Sequence, residues 1–386
     1  MPAAPSPPRR LSGDAASAGA WLRACAAHWR QTTVLLLLAG TDTAAVPGIS
    51  AAGATPESRR WTAAADAELL LLGPEAERRH ALPPLPAGVS PALIAHRVVS
   101  ELGLDPLVVD LGAAVAPAVP HLQLGQTPAR CLSSGQAMAP ARVRQLLELG
   151  QRWGRLLAAK APQEPLLIAE CVPGGTTTAQ AVLTGLGLEV AGLVSGSLLE
   201  PVHALKTDLV ERGLSAAGLA GPRGAGGPGA DPLAVLAAVG DPMQALAAGL
   251  VLGTGGAGRP VLLAGGCQMA AVWALAVALS PPASRLALAR QVAIGTTAWV
   301  AAEASSDLAL LLQRLGARWQ VEPLAFAANL RFQQCRSARL RDYEAGYVKE
   351  GVGAGGLALL WELSGRSPEA LARACDQACG QLLGGP

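Results

Sequence analysis

One segment of the sequence places a carboxylate, two glycines and three threonines where a buried strand should end. The run LLIAECVPGGTTTA covers residues 166–179, and its pattern predicts a strand, a Pro-Gly-Gly turn and the start of a helix. The glycines let the backbone approach an anion closely, and the helix N-terminus favours negative charge. The residues that could act there are Glu170, Gly174, Gly175, Thr176, Thr177 and Thr178. This pattern fits a phosphate or ribose phosphate, although a tight turn with an N-cap has the same composition.

Two later segments carry further polar groups among glycines. Ser195-Gly196 follows an apolar run, and Lys206 lies in the helical pattern after it. Glu350 stands in the sequence GYVKEGVGAGGL, which covers residues 346–357. A lysine in a helix is commonly a solvated surface group, and a glutamate at a helix start is commonly a partner of the helix dipole. The residue types alone therefore leave the role of these segments open.

Taken together and in order, the segments resemble the nicotinate-nucleotide:dimethylbenzimidazole phosphoribosyltransferase family of cobamide assembly. Glu170, Gly174 and Thr176-Thr177 are similar to the family's Glu-Met-Gly-Ile-Gly-Asn-Thr-Thr at the ribose phosphate, and Lys206 is similar to the lysine of its Lys-x-x-x-Ile-Glu-Arg-Ala-Leu helix. The segment around Glu350 resembles Leu-Gly-Glu-Gly-Thr-Gly-Ala, whose glutamate is the catalytic base. Weaker similarities at residues 47–51 and 261–271 extend the resemblance over most of the chain.

The resemblance implies transfer of phosphoribosyl from nicotinate mononucleotide to a nitrogen base, with Glu350 as the base that accepts a proton. It implies no metal, no organic cofactor and a homodimer. Dimethylbenzimidazole, adenine and a phenol all remain open as acceptors, because Gly295–Trp299 replaces the family's His-Arg-Ser. The residues expected to bind substrate are Glu170, Gly174, Gly175, Thr176, Thr177, Thr178, Ser195, Gly196, Lys206, Ser50, Gly265 and Gly351. Two alternatives are a nucleotide-binding regulatory protein without turnover and an enzyme like a nucleoside phosphorylase or hydrolase.

These residues need a scaffold, and short apolar runs alternate with helical patterns along the chain. The alternation predicts an α/β fold with a doubly wound, mainly parallel sheet. The runs expected to form strands are 33–40, 68–73, 106–112, 165–170, 189–195, 260–266, 291–296 and 323–329. A long helix is expected over 232–252. Residues 15–386 should form one domain, in which 15–32 and 337–386 form a small helical subdomain; residues 1–14 are predicted to be a disordered tail and 213–231 a glycine-rich loop.

Composition excludes several classes of partner. Charged residues make up 15% of the 386 residues and the net charge is +2, so neither nucleic acid nor a membrane surface is an expected partner. No apolar stretch approaches the ~20 residues of a spanning helix. The five histidines lack ligand spacing and the seven cysteines are scattered, so we expect no metal site and a reducing cytoplasmic location.

Overall fold

The computed structural model describes residues 7–125, 127–199, 202–219, 231–255 and 258–384. Within these ranges the chain forms a single sheet of eight strands with helices on both faces, which confirms the predicted fold class. The strands are β1 (Arg9–Ser12), β2 (Thr33–Leu38), β3 (Leu107–Asp110), β4 (Leu122–Gln123), β5 (Leu166–Cys171), β6 (Val261–Ala264), β7 (Val292–Thr296) and β8 (Leu324–Ala327).

The strand order shows where a ligand crevice should lie. The order across the sheet is β1-β8-β7-β6-β5-β2-β3-β4, and every pair is parallel except β1 with β8. From β2 the chain proceeds outward to β3 and β4, and it then returns to the other side of β2 to form β5 and the strands beyond it. The direction of winding therefore reverses between β2 and β5. In sheets of this kind the crevice outside the carboxyl ends of the two strands at the reversal binds the ligand.

Sixteen α-helices cover the sheet in the described part of the chain. They are α1 (Ala15–His28), α2 (Pro56–Arg59), α3 (Thr62–Leu72), α4 (Ala92–Leu102), α5 (Pro140–Lys160), α6 (Gly175–Gly185), α7 (His203–Ala216), α8 (Pro232–Val239), α9 (Pro242–Thr254), α10 (Cys267–Leu279), α11 (Arg285–Gln291), α12 (Ala298–Ala301), α13 (Leu308–Trp319), α14 (Ala338–Arg341), α15 (Ala354–Leu363) and α16 (Pro368–Leu382).

Each face of the sheet has its own apolar core. Side chains alternate along a strand, so Leu35 and Leu37 of β2 join one core while Leu36 and Leu38 join the other. The first core includes buried residues of α5 to α10 and α13, and the second includes those of α1, α3, α4, α15 and α16. Both ends of the chain therefore contribute helices to the same face. That these helices form a separate subdomain stays a prediction.

Two predicted strands are wrong. Residues 68–73 belong to the end of α3, whose residues from Thr62 to Leu70 are all buried. A helix buried on every side gives a continuous apolar run, as a buried strand does, and alanine and leucine favour the helix. Residues 189–195 form turns, and their apolar pattern reflects Val190 and Val194 packing into the first core.

The predicted helix over 232–252 is two helices, because the first ends at Gly240 and Asp241 caps the start of the second. Its carboxylate accepts a hydrogen bond from the Gln244 backbone N–H at 3.1 Å, and the Gln244 side chain accepts one from the Asp241 N–H at 3.1 Å. Pro242 occupies the first position of α9, where its missing N–H costs nothing.

The predictions for two unstructured segments are wrong in part. In the expected tail, Arg9–Ser12 forms β1, which pairs antiparallel with β8 at the sheet edge. Its stability comes from backbone hydrogen bonds, which a side-chain pattern does not reveal. In the expected loop, residues 213–216 complete α7. Residues 1–6 and 220–230 lie outside the described residues. No helix of the described ranges is long and apolar enough to cross a membrane.

Candidate functional site

A cleft opens at the carboxyl ends of β2, β5 and β6, where the winding of the sheet reverses. Its walls come from the loop after β2, the starts of α6 and α10, the loop 195–197, part of α3 with residues 82–91, and residues 347–352. Nine of the predicted site residues line it: Ser50, Glu170, Gly174, Gly175, Thr176, Ser195, Gly196, Glu350 and Gly351. The fold thus gathers groups that lie about 300 positions apart in the sequence.

One end of the cleft is suited to an anion. Gly174 has φ +81°, and an added Cβ there would lie 3.0 Å from the backbone N of Ala44, so both the conformation and the close approach require glycine. Helix α6 begins at Gly175 and α10 begins at Cys267, and neither start is capped by a side chain. Both helices direct the positive ends of their dipoles into the cleft, which favours a phosphate.

Glu170 stands at the end of β5 next to these helix starts, and its side chain is 3% exposed. Its oxygens accept hydrogen bonds from the Gln268 side chain at 2.8 Å and the Val172 backbone N–H at 3.0 Å. Burial, together with the neighbouring charges of Asp241 and Glu350, raises the pKa of Glu170 to about 8. Near neutral pH this carboxyl is therefore protonated and able to donate a hydrogen bond.

Glu350 faces the same cleft but is held by four donors. One oxygen accepts from the Thr296 hydroxyl at 2.9 Å and the Thr297 backbone N–H at 3.0 Å. The other accepts from the backbone N–H groups of Gly351 at 3.2 Å and Gly355 at 3.0 Å. Burial raises the pKa of Glu350 above its usual range, while these four hydrogen bonds oppose the rise. The result is a fixed carboxylate with a basicity higher than that of a surface glutamate.

The backbone around Glu350 is strained. Val348, Lys349 and Val352 have φ values of 64°, 66° and 52°, in a left-handed region that costs an L-residue about 1–2 kcal/mol. Backbone strain of this kind persists only where surrounding contacts impose it, and it concentrates at functional sites. The Val352 N–H donates to the Glu170 carbonyl at 3.0 Å, which ties this segment to β5.

Another part of the cleft wall is apolar and contains one carboxyl group, that of Asp66. Its apolar residues are Leu82, Pro83, Leu85, Pro86, Ala87, Pro91 and Val348. Asp66 of α3 is 4% exposed there and accepts hydrogen bonds from the Ser90 hydroxyl at 2.6 Å and the Cys171 thiol at 3.4 Å. Burial raises the pKa of Asp66 to about 6. A flat, largely apolar ring with one polar edge would fit such a surface.

Four predicted site residues do not line the cleft. Thr177 and Thr178 are fully buried, and the Thr178 hydroxyl donates to Asp241 at 2.5 Å. Lys206 is 2% exposed and its ammonium donates to the Ser195 carbonyl at 2.8 Å, so it supports the loop beside the cleft. Gly265, with φ +155°, packs near the Met269 side chain.

Other lining or supporting residues were not singled out from the sequence. These are Asp66, Ser90, Gln268, Thr296, Thr297, Glu303 and Lys349. Lys349 precedes Glu350, Gln268 lies in the segment 261–271, and Thr296 and Thr297 lie in the segment that replaces the family's His-Arg-Ser, so the resemblance had already marked the surroundings of these four. Asp66, Ser90 and Glu303 come from other helices and loops, and their sequence surroundings are ordinary. Among the described residues no cluster of three or more His, Cys, Asp or Glu side chains could hold a metal ion.

Comparisons with known proteins identify the family and the fold. A family model described as Phosphoribosyltransferase matches residues 94–302. A UPF0284 protein of Prochlorococcus marinus strain MIT 9313 is 51% identical, covering 98% of this chain and 96% of that protein. A UPF0284 protein of Parasynechococcus marenigrum strain WH8102 is 53% identical, covering 91% of this chain and 87% of that protein.

Two solved structures from Thermus thermophilus have a similar fold. A nicotinate-nucleotide-dimethylbenzimidazole phosphoribosyltransferase has a TM-score of 0.55 and 19% identity, covering 92% of this chain and 85% of the other. A structure of CobT has a TM-score of 0.54 and 18% identity, covering 96% of this chain and 98% of the other. At these identities the likeness concerns the fold. The family model and the close relatives show the family itself: this chain belongs to the phosphoribosyltransferase family whose motifs its sequence resembles.

Proposed function

We propose that this phosphoribosyltransferase moves phosphoribosyl from nicotinate mononucleotide to a nitrogen base, as an activation step for the lower ligand of a cobamide. The bond from ribose C1′ to the nicotinate nitrogen breaks, and its electron pair returns to the pyridine ring. A ring nitrogen of the acceptor forms the new bond to C1′, and the acceptor's N–H proton leaves to a carboxylate. The nicotinate ring is a pyridinium while it is bonded to C1′ and leaves as a neutral pyridine, which makes it a good leaving group, so the proposed reaction needs neither metal nor organic cofactor.

In this proposal Glu350 accepts the proton. Its carboxylate is fixed by backbone donors, and its pKa is raised by burial, so it is a stronger base than a surface glutamate. The Thr296 hydroxyl is the one donor of the four that can rotate away, which would free an acceptor site on Glu350 for the incoming N–H. The attacking base would lie against the apolar wall, within reach of both Glu350 and Asp66.

Glu170 has a different proposed role. As a protonated carboxyl beside the starts of α6 and α10, it would donate a hydrogen bond to a ribose or phosphate oxygen. The backbone of Gly174–Thr176 would receive the phosphate. Ser50, Ser195 and Gly196 line the same cleft, and in this proposal the sugar would lie against them. The expected homodimer rests on the family resemblance, and the expected cytoplasmic location rests on the scattered cysteines.

The observation that carries the proposal is the juxtaposition in one cleft of a fixed carboxylate, Glu350, with the uncapped start of α6. During the transfer one cleft must hold both the ribose phosphate and the attacking base, so the anion site and the proton acceptor must lie in the same cleft. A surface glutamate far from the helix starts could not take part. The same geometry supports a role for Glu350 in the rate of transfer and not in nucleotide binding.

The test is a screen of dimethylbenzimidazole, adenine and a phenol against nicotinate mononucleotide, with wild type and Glu350→Gln, read by mass spectrometry. General-base assistance is worth about 10²–10⁴-fold, so kcat should fall by about that factor while nucleotide affinity changes little. Equal turnover of both proteins would remove Glu350 from the role of base. Nicotinate release without any acceptor would indicate a hydrolase, and tight binding without release would indicate a regulatory protein.

A further inference from the structure

The segment that carries Glu350, which we call the strap (residues 347–354), adopts a backbone that its sequence does not favour. Among the described residues four non-glycine positions have positive φ, and three of them, Val348, Lys349 and Val352, lie in the strap. Two of these are β-branched, for which the left-handed region is least accessible. Something outside the strap must impose this conformation.

The side chain of Lys349 supplies one such constraint. It is 2% exposed, and its ammonium donates to the Glu303 carboxylate at 2.8 Å and to the Leu198 carbonyl at 3.2 Å. Its own carbonyl accepts a hydrogen bond from the Thr297 hydroxyl at 2.7 Å. Lys349 is therefore anchored through both its backbone and its side chain, directly before Glu350.

Glu303 connects this anchor to the loop on the other wall. Its carboxylate is 6% exposed and accepts hydrogen bonds from the hydroxyls of Ser195, Ser305 at 2.6 Å and Ser306 at 2.8 Å. Burial acts to raise the pKa of Glu303, but the hydrogen bonds from Lys349, Ser195 and Ser305 outweigh it and lower the value, which keeps the group ionised. Ser195 is also held through its carbonyl by Lys206.

From these contacts we infer that the Lys349–Glu303 ion pair is a positioning device that holds the strap, and with it Glu350, against the loop at Ser195. The side chains of the pair bond to each other, to the Leu198 carbonyl and to three serine hydroxyls, and not to Glu350. Its contribution to turnover rests on the proposed function, whereas its contribution to the order of the strap does not. Lys349 and Glu303 are positioning residues.

A buried ion pair can also be a purely structural contact, and the double variant Lys349→Met/Glu303→Gln separates the two roles. Either single change leaves an unpaired buried charge, so Lys349→Met and Glu303→Gln should both lower stability. The double variant removes both charges and should regain most of it. If the pair is purely structural, the double variant should regain activity together with stability. If the pair positions the strap, the double variant should regain stability without activity, because the neutral side chains no longer impose the strap conformation.

The first measurement needs no turnover. Hydrogen exchange followed by mass spectrometry should show the amides of residues 346–356 exchanging about tenfold faster in the double variant, while α16 is unchanged. The control is Arg97→Met/Glu101→Gln, which removes a partly exposed ion pair on α4. Unchanged exchange of 346–356 in the double variant would overturn the inference, even if the enzyme proved to have another activity.

The second measurement uses nicotinate release. The double variant should lose about 100-fold in kcat, the cost of a misplaced catalytic group, with KM for nicotinate mononucleotide within about threefold of wild type. If kcat of the double variant recovered to the same extent as its stability, measured as the midpoint of urea unfolding, the inference would also be overturned. If wild type releases no nicotinate with any acceptor, the proposed function fails, and the exchange experiment still decides whether the pair orders the strap.

Discussion

At the scale of single residues, two glutamates in one cleft differ because their surroundings differ. Glu350 accepts four hydrogen bonds, which favour its charged form. Glu170 accepts two, lies deeper, and faces the charges of Asp241 and Glu350, so its pKa rises to about 8. Environments that separate the pKa values of two carboxyls in this way assign one as the base and the other as the hydrogen-bond donor.

This division predicts a bell-shaped dependence of kcat on pH. The rate should rise as Glu350 loses its proton and fall through about pH 8 as Glu170 loses its own. Glu170→Gln keeps a neutral donor at every pH, so the fall near pH 8 should disappear, while kcat at pH 7 should stay within about tenfold of wild type, the value of one or two hydrogen bonds. The measurement is nicotinate release between pH 5.5 and 9.5.

The outcome that would reverse the assignment is specific. If Glu170→Gln abolishes turnover at all pH values while Glu350→Gln only moves the acidic limb, then Glu170 is the base. Glu148→Gln on the exposed face of α5 is the control for a general effect of removing a carboxylate.

At the scale of elements, the cleft depends on helix starts that lie very close to each other. A Cβ added to Gly175 would lie 1.8 Å from the side-chain oxygen of Gln268 at the start of α10. That same amide holds Glu170 through its nitrogen. The absence of a side chain at position 175 therefore lets α6 and α10 converge, and the convergence positions Glu170.

We predict that Gly175→Ala displaces Gln268 and weakens binding of nicotinate mononucleotide about tenfold or more, because Glu170 loses a hydrogen bond to its oxygen and the helix starts separate. Calorimetric titration gives the dissociation constant. Gly380→Ala in α16 is the matched control, since a Cβ there would meet nothing within 4 Å. Adding Gln268→Ala should relieve the clash of Gly175→Ala and restore the thermal midpoint without restoring affinity. Unchanged affinity in Gly175→Ala would contradict the proposed geometry.

Elements differed in how far the sequence revealed them. The runs that became β2, β3, β5, β6, β7 and β8 were predicted because strands buried on both faces are apolar throughout. Residues 68–73 have the same apolar composition but follow the alanine-rich residues 62–67 of α3. Helix and strand can be told apart here only when those preceding residues are included in the pattern. β1 was missed because its sequence RRLS has one apolar residue, Leu11, and the strand depends mainly on backbone pairing with β8. The break at Asp241-Pro242 was readable as a cap followed by proline, and the prediction overlooked it.

The residues of the site also differed in how far the sequence revealed them. Glu170 and the Gly174–Thr176 turn were identified from their own motif, whereas Glu350 was identified by the family resemblance; all of them line the cleft. Lys206 was assigned to the phosphate by resemblance, yet the structure buries its ammonium against Ser195. Asp66 and Glu303 could not be found this way, because only the folded chain brings α3 and the loop after α12 to the cleft.

At the scale of the whole molecule, several carboxyls are buried with few or no cationic partners. Burial raises the pKa of Asp66 to about 6, of Asp241 to about 6, of Glu362 to about 7 and of Glu170 to about 8. A carboxyl with a higher pKa in the folded chain binds more protons there than in the unfolded chain. Stability therefore falls as pH rises from the unfolded value, near 4, to the folded one. Glu303 and Glu68, whose pKa values are lowered, act in the opposite direction below about pH 4.5. Burial lowers the pKa of His96 and lowers that of Lys206 to about 8, so these two groups also oppose the trend, His96 below about pH 6.5 and Lys206 above about pH 8, but they are fewer than the buried carboxyls.

The free energy of unfolding should consequently be larger at pH 5.5 than at pH 8.5, mainly because Glu362 and Glu170 lose their protons in the folded chain between these pH values. For Glu170 alone the loss should be on the order of 1–4 kcal/mol, since each pKa unit corresponds to about 1.4 kcal/mol. Glu170→Gln cannot ionise, so its stability relative to wild type should grow as pH rises from 5.5 to 8.5, whereas Glu148→Gln should follow wild type. Urea unfolding at three pH values measures both slopes. If wild type gains stability toward pH 8.5, or if Glu170→Gln follows it with the same slope, these buried carboxyls are ionised in the folded protein, and Glu170 cannot be the neutral donor on which the proposed division of roles depends.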